Sequence, residues 1–172
     1  MKKIFLLLSV VGLFSLSSCN NDDDVYVDTD TIAEVFEINA NFGLDSGSGF
    51  YKSYYELNPP IYTSDMILVY KLYGQFQGND IWELIPRTIN YDNGDSVTYD
   101  YNFTYQDIEL YMDANLDLGL APEYTQNQIF RVVIIPAFDS SASARMNFND
   151  YETVVKQFNI DESNIKTLTK KK

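Results

Sequence analysis

The sequence predicts an all-β domain: an antiparallel β-sandwich of about seven or eight strands with one short C-terminal helix. Three observations lead there. Apolar residues recur at every second position in several separate stretches, as half-buried strands require. Clusters of Gly, Asn, Asp and Pro punctuate those stretches at short intervals. Tyr (14) and Phe (11) are abundant among the 172 residues, and aromatic side chains suit pleated surfaces.

The elements follow in order. From Glu34 the chain alternates, with Phe36, Ile38, Ala40 and Phe42 on one side and Glu37, Asn39 and Asn41 on the other. Residues 45–49 read as a loop and 50–57 as a second strand, interrupted by Asn58-Pro59-Pro60. Residues 66–73 are apolar on nearly both faces, as in a central strand. Gly78-Asn79-Asp80 turns the chain into 81–92. Asn93-Gly94 then predicts a two-residue type I′ hairpin.

That hairpin implies a register. Asp92 faces Asp95, Thr88 faces Tyr99 and Arg87 faces Asp100. Continued outward, Leu84 meets Phe103 and Trp82 meets Tyr105, which places these four on the core face. Glu83, Arg87, Asp100 and Thr104 share the opposite face.

Residues 108–120 alternate again, and 129–135 read as another central strand that Pro136 ends. Residues 139–149 form a loop. Asn149 caps a short helix, with Glu152 three residues on, and Tyr151, Val154, Val155 and Phe158 fall on one helical face. Residues 165–168 add a last edge strand before the Lys170-Lys171-Lys172 tail.

Composition excludes several chemistries. With one cysteine no disulfide forms within the chain. With no histidine there is no thiolate–imidazole zinc site and no Ser-His or Cys-His pair. The net charge is −13 and falls to −15 once residues 1–18, with Lys2 and Lys3, are removed. A surface so acidic opposes nucleic acid and anionic headgroups alike.

Residues 1–18 read as an export segment. Met1-Lys2-Lys3 is a basic start, and 4–16 are almost wholly apolar. A helix of that length spans ~20 Å, short of the ~30 Å hydrocarbon core. An ordinary cleavage site would need Ala-x-Ala-type residues, yet the first alanine is Ala33. Instead the segment ends Leu16-Ser17-Ser18-Cys19. This resembles the lipobox of bacterial lipoproteins, and the resemblance implies cleavage before Cys19 and diacylglycerol on its sulfur. Several acyl chains anchor stably where one is marginal.

Asn20-Asn21-Asp22-Asp23-Asp24 follows directly. It resembles the export signal of Bacteroidetes surface lipoproteins, which implies display on the outer face of the outer membrane. A periplasm-facing tether is the alternative. Residues 19–32 thus form an acidic flexible tether, and 33–172 the folded domain. Asp30-Thr31-Ile32 and Asp95-Ser96-Val97 are similar to the short O-glycosylation sequon of exported Bacteroidetes proteins, with Thr31 favoured because the tether is accessible. The lipobox, residues 65–70, the Asp92-Asn93-Gly94-Asp95 turn and residues 123–131 together resemble a group of flavobacterial surface-type lipoproteins. Some of these carry collagen-like Gly repeats after the cysteine; this chain has none there. The resemblance spans most of the mature chain and implies no particular activity.

Three further candidate features each have a plainer reading. Residues 113–119 resemble the start of a calcium loop, but Leu118 stands at the Gly position and Tyr124 at the bidentate Glu. In an unbroken strand Asp113, Asn115 and Asp117 would stand ~6–7 Å apart, too far to close on one ion. No metal or cofactor is therefore expected, and the acid-rich 22–30 reads as a solvated leash. Tyr51, Tyr54, Tyr55, Tyr62, Tyr91 and Tyr124 are the candidates for a glycan-stacking platform, against packing within the sandwich. Paired carboxylates can hydrolyse glycosides without histidine, but no spacing singles out a pair. The expectation is a lipid-anchored, non-catalytic envelope protein with a binding or structural role. A glycan-binding accessory module is the first alternative, a carboxylate-dependent hydrolase the second.

Overall fold

A computed structural model describes residues 32–137 and 146–170. The export segment, Cys19, the run Asn20 to Asp24 and Thr31 lie outside the described residues. The strands are β1 (Glu34–Ala40), β2 (Gly43–Leu44), β3 (Tyr51–Glu56), β4 (Met66–Phe76), β5 (Asn79–Leu84) and β6 (Arg87–Asn90). They continue as β7 (Ser96–Phe103), β8 (Asp107–Ala114), β9 (Gln128–Ile135) and β10 (Lys166–Thr167). A 3₁₀ turn (Leu118–Leu120) and α1 (Pro122–Thr125) precede β9, and α2 (Tyr151–Gln157) follows it.

The strands form two five-stranded sheets, ordered β10-β1-β9-β4-β5 and β2-β3-β8-β7-β6. Among the described strands only β10 runs parallel to its neighbour, β1. The all-β sandwich with a short C-terminal helix is therefore what forms, and eight of the described strands have four residues or more.

Burial explains the sequence pattern. Between the sheets, Ile38, Val69, Phe130 and Val132 of the first meet Val97, Tyr99, Ile108, Leu110 and Met112 of the second. On the other side of the first sheet, α2 lays Tyr151 and Val154 over Val35, Leu68, Tyr70, Val133 and Ile135. Strands β4 and β9 are thus buried on both faces, which is why 66–73 and 129–135 read as near-continuous apolar runs. The second sheet has a solvated outer face, so β8 alternates Ile108, Leu110 and Met112 with Glu109, Tyr111 and Asp113. That face is satisfied internally: Lys52 pairs Glu109 at 3.1 Å, and the Tyr111 hydroxyl donates to Asp100 at 2.8 Å.

The hairpin at Asn93-Gly94 exists, but its register is shifted by one residue. Arg87 pairs with Tyr99 and Thr88 with Thr98. The Gly94 N–H donates to the Tyr91 carbonyl and Gly94 has φ +91°, so the loop has three residues and ends in a glycine bulge. Two forces select this. Asn93 Oδ1 accepts from the Asp95 N–H at 3.0 Å, an Asx turn. The observed register also sets Ile89 opposite Val97, both buried; the two-residue loop would oppose Ile89 to Thr98. The type I′ geometry occurs instead one hairpin earlier, at Gln77-Gly78, with φ +52° and +84° between paired Phe76 and Asn79. The turn predicted at 78–80 sits one residue early.

A second correction concerns Trp82 and Leu84. They lie on β5, which pairs with β4 in the first sheet, while Phe103 lies on β7 in the second. The chain changes sheets at Ile85-Pro86, between β5 and β6, which a continuous hairpin does not allow. Trp82 and Leu84 pack under α2, whereas Phe103 and Tyr105 are exposed. Glu83 and Arg87 form an ion pair across that crossover and share no face with Asp100.

Two smaller differences remain. The strand read over 108–120 stops at Ala114, where Asn115 turns aside to clamp the β6–β7 hairpin. The α2 cap is Asp150, one residue after Asn149: its carboxylate accepts from the Thr153 N–H and hydroxyl. The last strand forms at the edge as expected.

Candidate functional site

Among the described residues, a concavity with convergent polar groups lies on the helix side of the first sheet. It is a cleft of about 640 Å³ between the edge strand β5 and α2. Alternation along β9 sends Phe130 and Val132 into the sandwich and Arg131 to the opposite side. An arginine embedded in an apolar strand must be paired. Glu37, its neighbour on β1, approaches its Nε at 3.8 Å. Its Nη1 donates to Glu162 at 2.7 Å and to the Tyr151 hydroxyl at 3.0 Å. The Tyr151 hydroxyl itself donates to Glu162 at 2.7 Å.

Aromatic rings complete the cage. The guanidinium carbon lies 4.2 Å from the Trp82 ring centre and 5.2 Å from that of Tyr151. Tyr151 meets Tyr70 edge-on at 5.0 Å and Trp82 at 5.8 Å. The Tyr70 hydroxyl donates to the Phe148 carbonyl at 2.6 Å, which ties the segment before α2 to the sheet. Arg131 is 16% exposed in its side chain, so the cage is largely dry and its geometry is held by packing.

Around this base the rim is acidic. Asp80, Asp150, Glu152 and Glu162 line the cleft against Arg131 and Lys156. Glu162 is taken by Arg131, and Glu152 meets Lys156 at 3.5 Å. Asp80 accepts from the Gln75 amide at 2.7 Å. The hydrogen bonds from Thr153 hold the Asp150 carboxyl below its usual range. Asp45 and Asp161 are lowered in the same way, by Ser48 and Ser163. These three shifts arise from turn and cap hydrogen bonds.

The candidates read from the sequence are dispersed. Tyr55 is fully buried, and its phenolic oxygen accepts from Ser53 at 2.9 Å. Tyr91 and Tyr124 pack on each other with centres 4.8 Å apart, and Tyr51 packs against the core. Tyr54 and Tyr62 are exposed, the first on the outer face of the second sheet and the second in the loop after Pro60. Tyr54 is bound to Asp107, which pushes its phenol up to about 12. The six form no flat row. Asp113 bonds the Ala114 N–H and Asp117 caps the 3₁₀ turn. Because β8 ends at Ala114, no unbroken strand holds 113–117 apart, and local turn bonds occupy the Asp113 and Asp117 carboxylates. Ser96 opens β7, its N–H bound to Asn115.

The Trp82–Arg131–Tyr151 cage was not legible as a site. Its one sequence signal is Arg131 itself, a lone cation within Ile129-Phe130-Arg131-Val132-Val133. Two other concavities are smaller: about 140 Å³ beside Pro59-Pro60, and about 340 Å³ between Phe50 and Leu118.

The buried tyrosines make one measurable prediction. Burial pushes the phenols of Tyr70, Tyr99 and Tyr151 up. In an unfolded chain they ionise near pH ~10. The folded state then keeps protons that the unfolded state releases, so this stability is complete below pH ~10 and is lost as pH rises above it. Absorbance at 295 nm should show exposed tyrosines titrating first. The buried ones should follow in one cooperative step, coincident with loss of the far-UV circular dichroism of the sheets. A single smooth titration with the fold intact would contradict it.

The fold and site thus define an all-β sandwich with a helix-flanked cleft on one outer face. Comparison with protein families, with curated proteins and with solved structures finds no match in any of the three.

Proposed function

We propose that this chain is a lipid-anchored protein of the outer membrane whose non-catalytic β-sandwich binds a ligand in the Trp82–Arg131–Tyr151 cleft. One observation carries the anchoring: the basic start and apolar run end in Leu16-Ser17-Ser18-Cys19, and Cys19 is the chain's single cysteine. The sulfur is therefore needed neither for a disulfide nor for a thiolate site. The run Asn20 to Asp24 supports the outward-facing orientation. The acidic domain supports anchoring by lipid, since its charge repels anionic headgroups.

The binding role rests on the cleft. Its aromatic base is rigidly caged, its rim is polar, and its volume falls in the range of small-ligand and peptide side-chain sites. The non-catalytic reading rests on composition together with the uses already found for the cleft carboxylates in ion pairs, a helix cap and a hydrogen bond from a side-chain amide.

Protease added to intact cells tests the orientation. Removal of the domain is the expected result. Protection until the outer membrane is opened would instead assign a periplasm-facing tether. Recovery of the uncleaved chain in the soluble fraction would overturn lipid anchoring.

A further inference from the structure

We infer that the cleft takes an extended, basic peptide segment, which adds as a strand to the free edge of β5 and sends alternate Lys or Arg side chains toward the acidic rim. This rests on the binding role proposed above and names the class of ligand.

The first observation is the edge. The two sheets have four edge strands: β10 and β2 with two residues each, β6 with four, and β5 with six. Short edges offer little for another strand to pair with. Among the described residues β5 pairs with β4 alone, so its outer backbone groups present about 20 Å of strand. An added strand would satisfy those groups through its main chain.

The second observation is where that edge lies. Asp80 and Trp82 of β5 line the cleft. Side chains of an added strand alternate between faces, so every second one would enter on the α2 side. There it meets four carboxylates against two cations, and both cations are already paired with two of those carboxylates. The charge still unmatched is negative, and the chain as a whole carries −13. Ile81, exposed and also lining the cleft, adds an apolar contact for the aliphatic stems of the entering side chains.

The same features disfavour a second copy. In a twofold antiparallel pairing of β5 with itself the two acidic rims lie on the same face of the joined sheet, and each chain carries −13, so like charges oppose the pairing. A saccharide would use the aromatic base but would gain nothing from the strand edge.

Trp82 is the single tryptophan, so intrinsic fluorescence reports this site directly. The probes are blocked hexapeptides of alternating Lys and Val, of alternating Glu and Val, and the Lys peptide N-methylated at alternate residues. The Lys peptide should shift Trp82 emission saturably. Binding should weaken about tenfold when salt is raised from about 0.05 M to about 0.5 M. Asp80→Lys with Glu152→Lys, both exposed positions, should abolish the shift while circular dichroism stays unchanged.

Equal binding of the N-methylated peptide would overturn pairing at the edge, and equal binding of the Glu peptide would overturn the charge argument. A concentration-dependent emission shift without peptide, tracking a dimer by light scattering, would assign the edge to a second copy. Response to cellohexaose or maltohexaose but to no peptide would overturn the peptide inference and leave the binding role standing. Response to none of the probes would overturn both.

Discussion

Cys19→Ser is expected to abolish membrane anchoring and to leave the domain folded. In the proposed anchoring the Cys19 thiolate takes up diacylglycerol; a hydroxyl cannot replace it, so one substitution would remove every acyl chain. Each buried methylene contributes about 0.8 kcal/mol to membrane affinity, so two acyl chains bind with tens of kcal/mol of gross stabilisation. The acidic surface provides no substitute attraction. In detergent phase separation the wild type should follow the detergent and the variant the aqueous phase, with metabolic lipid label present only on the former. Circular dichroism should be identical, because the described core contains no cysteine. A variant that remained in the detergent phase and kept its label would sink the proposed anchor.

Phe130→Ala is expected to cost about 3–5 kcal/mol of stability. Phe130 is 0% exposed at the centre of the first sheet. Its ring meets Phe42 at 6.0 Å and Tyr99 at 5.9 Å, both edge-on, so truncation empties a space that three rings define. The surrounding strands cannot collapse into it without breaking ladder hydrogen bonds on both sides, since β9 pairs with β1 and β4 at once. For a domain whose total stability is of order 5–15 kcal/mol, the loss approaches unfolding. Urea titration followed by circular dichroism should show a much lower midpoint with little change in slope. Phe76→Ala, at a position 65% exposed in the β4–β5 hairpin, serves as the control and should lie within about 0.5 kcal/mol of wild type. Equal effects at the two positions would contradict the assigned core.

Much of the fold was legible because strand burial writes itself locally. The alternation in 36–42 and 108–114 and the apolar runs in 66–73 and 129–135 each reflect how many faces of a strand are covered. The helical face of Tyr151, Val154, Val155 and Phe158 was legible for the same reason, since periodicity needs no knowledge of the partner. The site was less legible. Arg131 announced itself as a cation in an apolar strand, but nothing nearby in sequence names Glu162, 31 residues later, as its counter-ion.

By itself, then, the sequence determined the all-β class, the position of most of the longer strands and the terminal helix, because these depend on periodicity and turn chemistry within a few residues. Tertiary structure decided which strands share a sheet. It placed the crossover at Ile85-Pro86, so that Trp82 faces α2 and Arg131 instead of Phe103 and Tyr105. It also decided the hairpin register, where burying Ile89 against Val97 outweighed the local preference of Asn-Gly for a two-residue turn. At the crossover the deciding term is apolar burial between residues brought together by the whole fold, which no short window of sequence contains; at the hairpin that burial acts together with the local Asn93 turn.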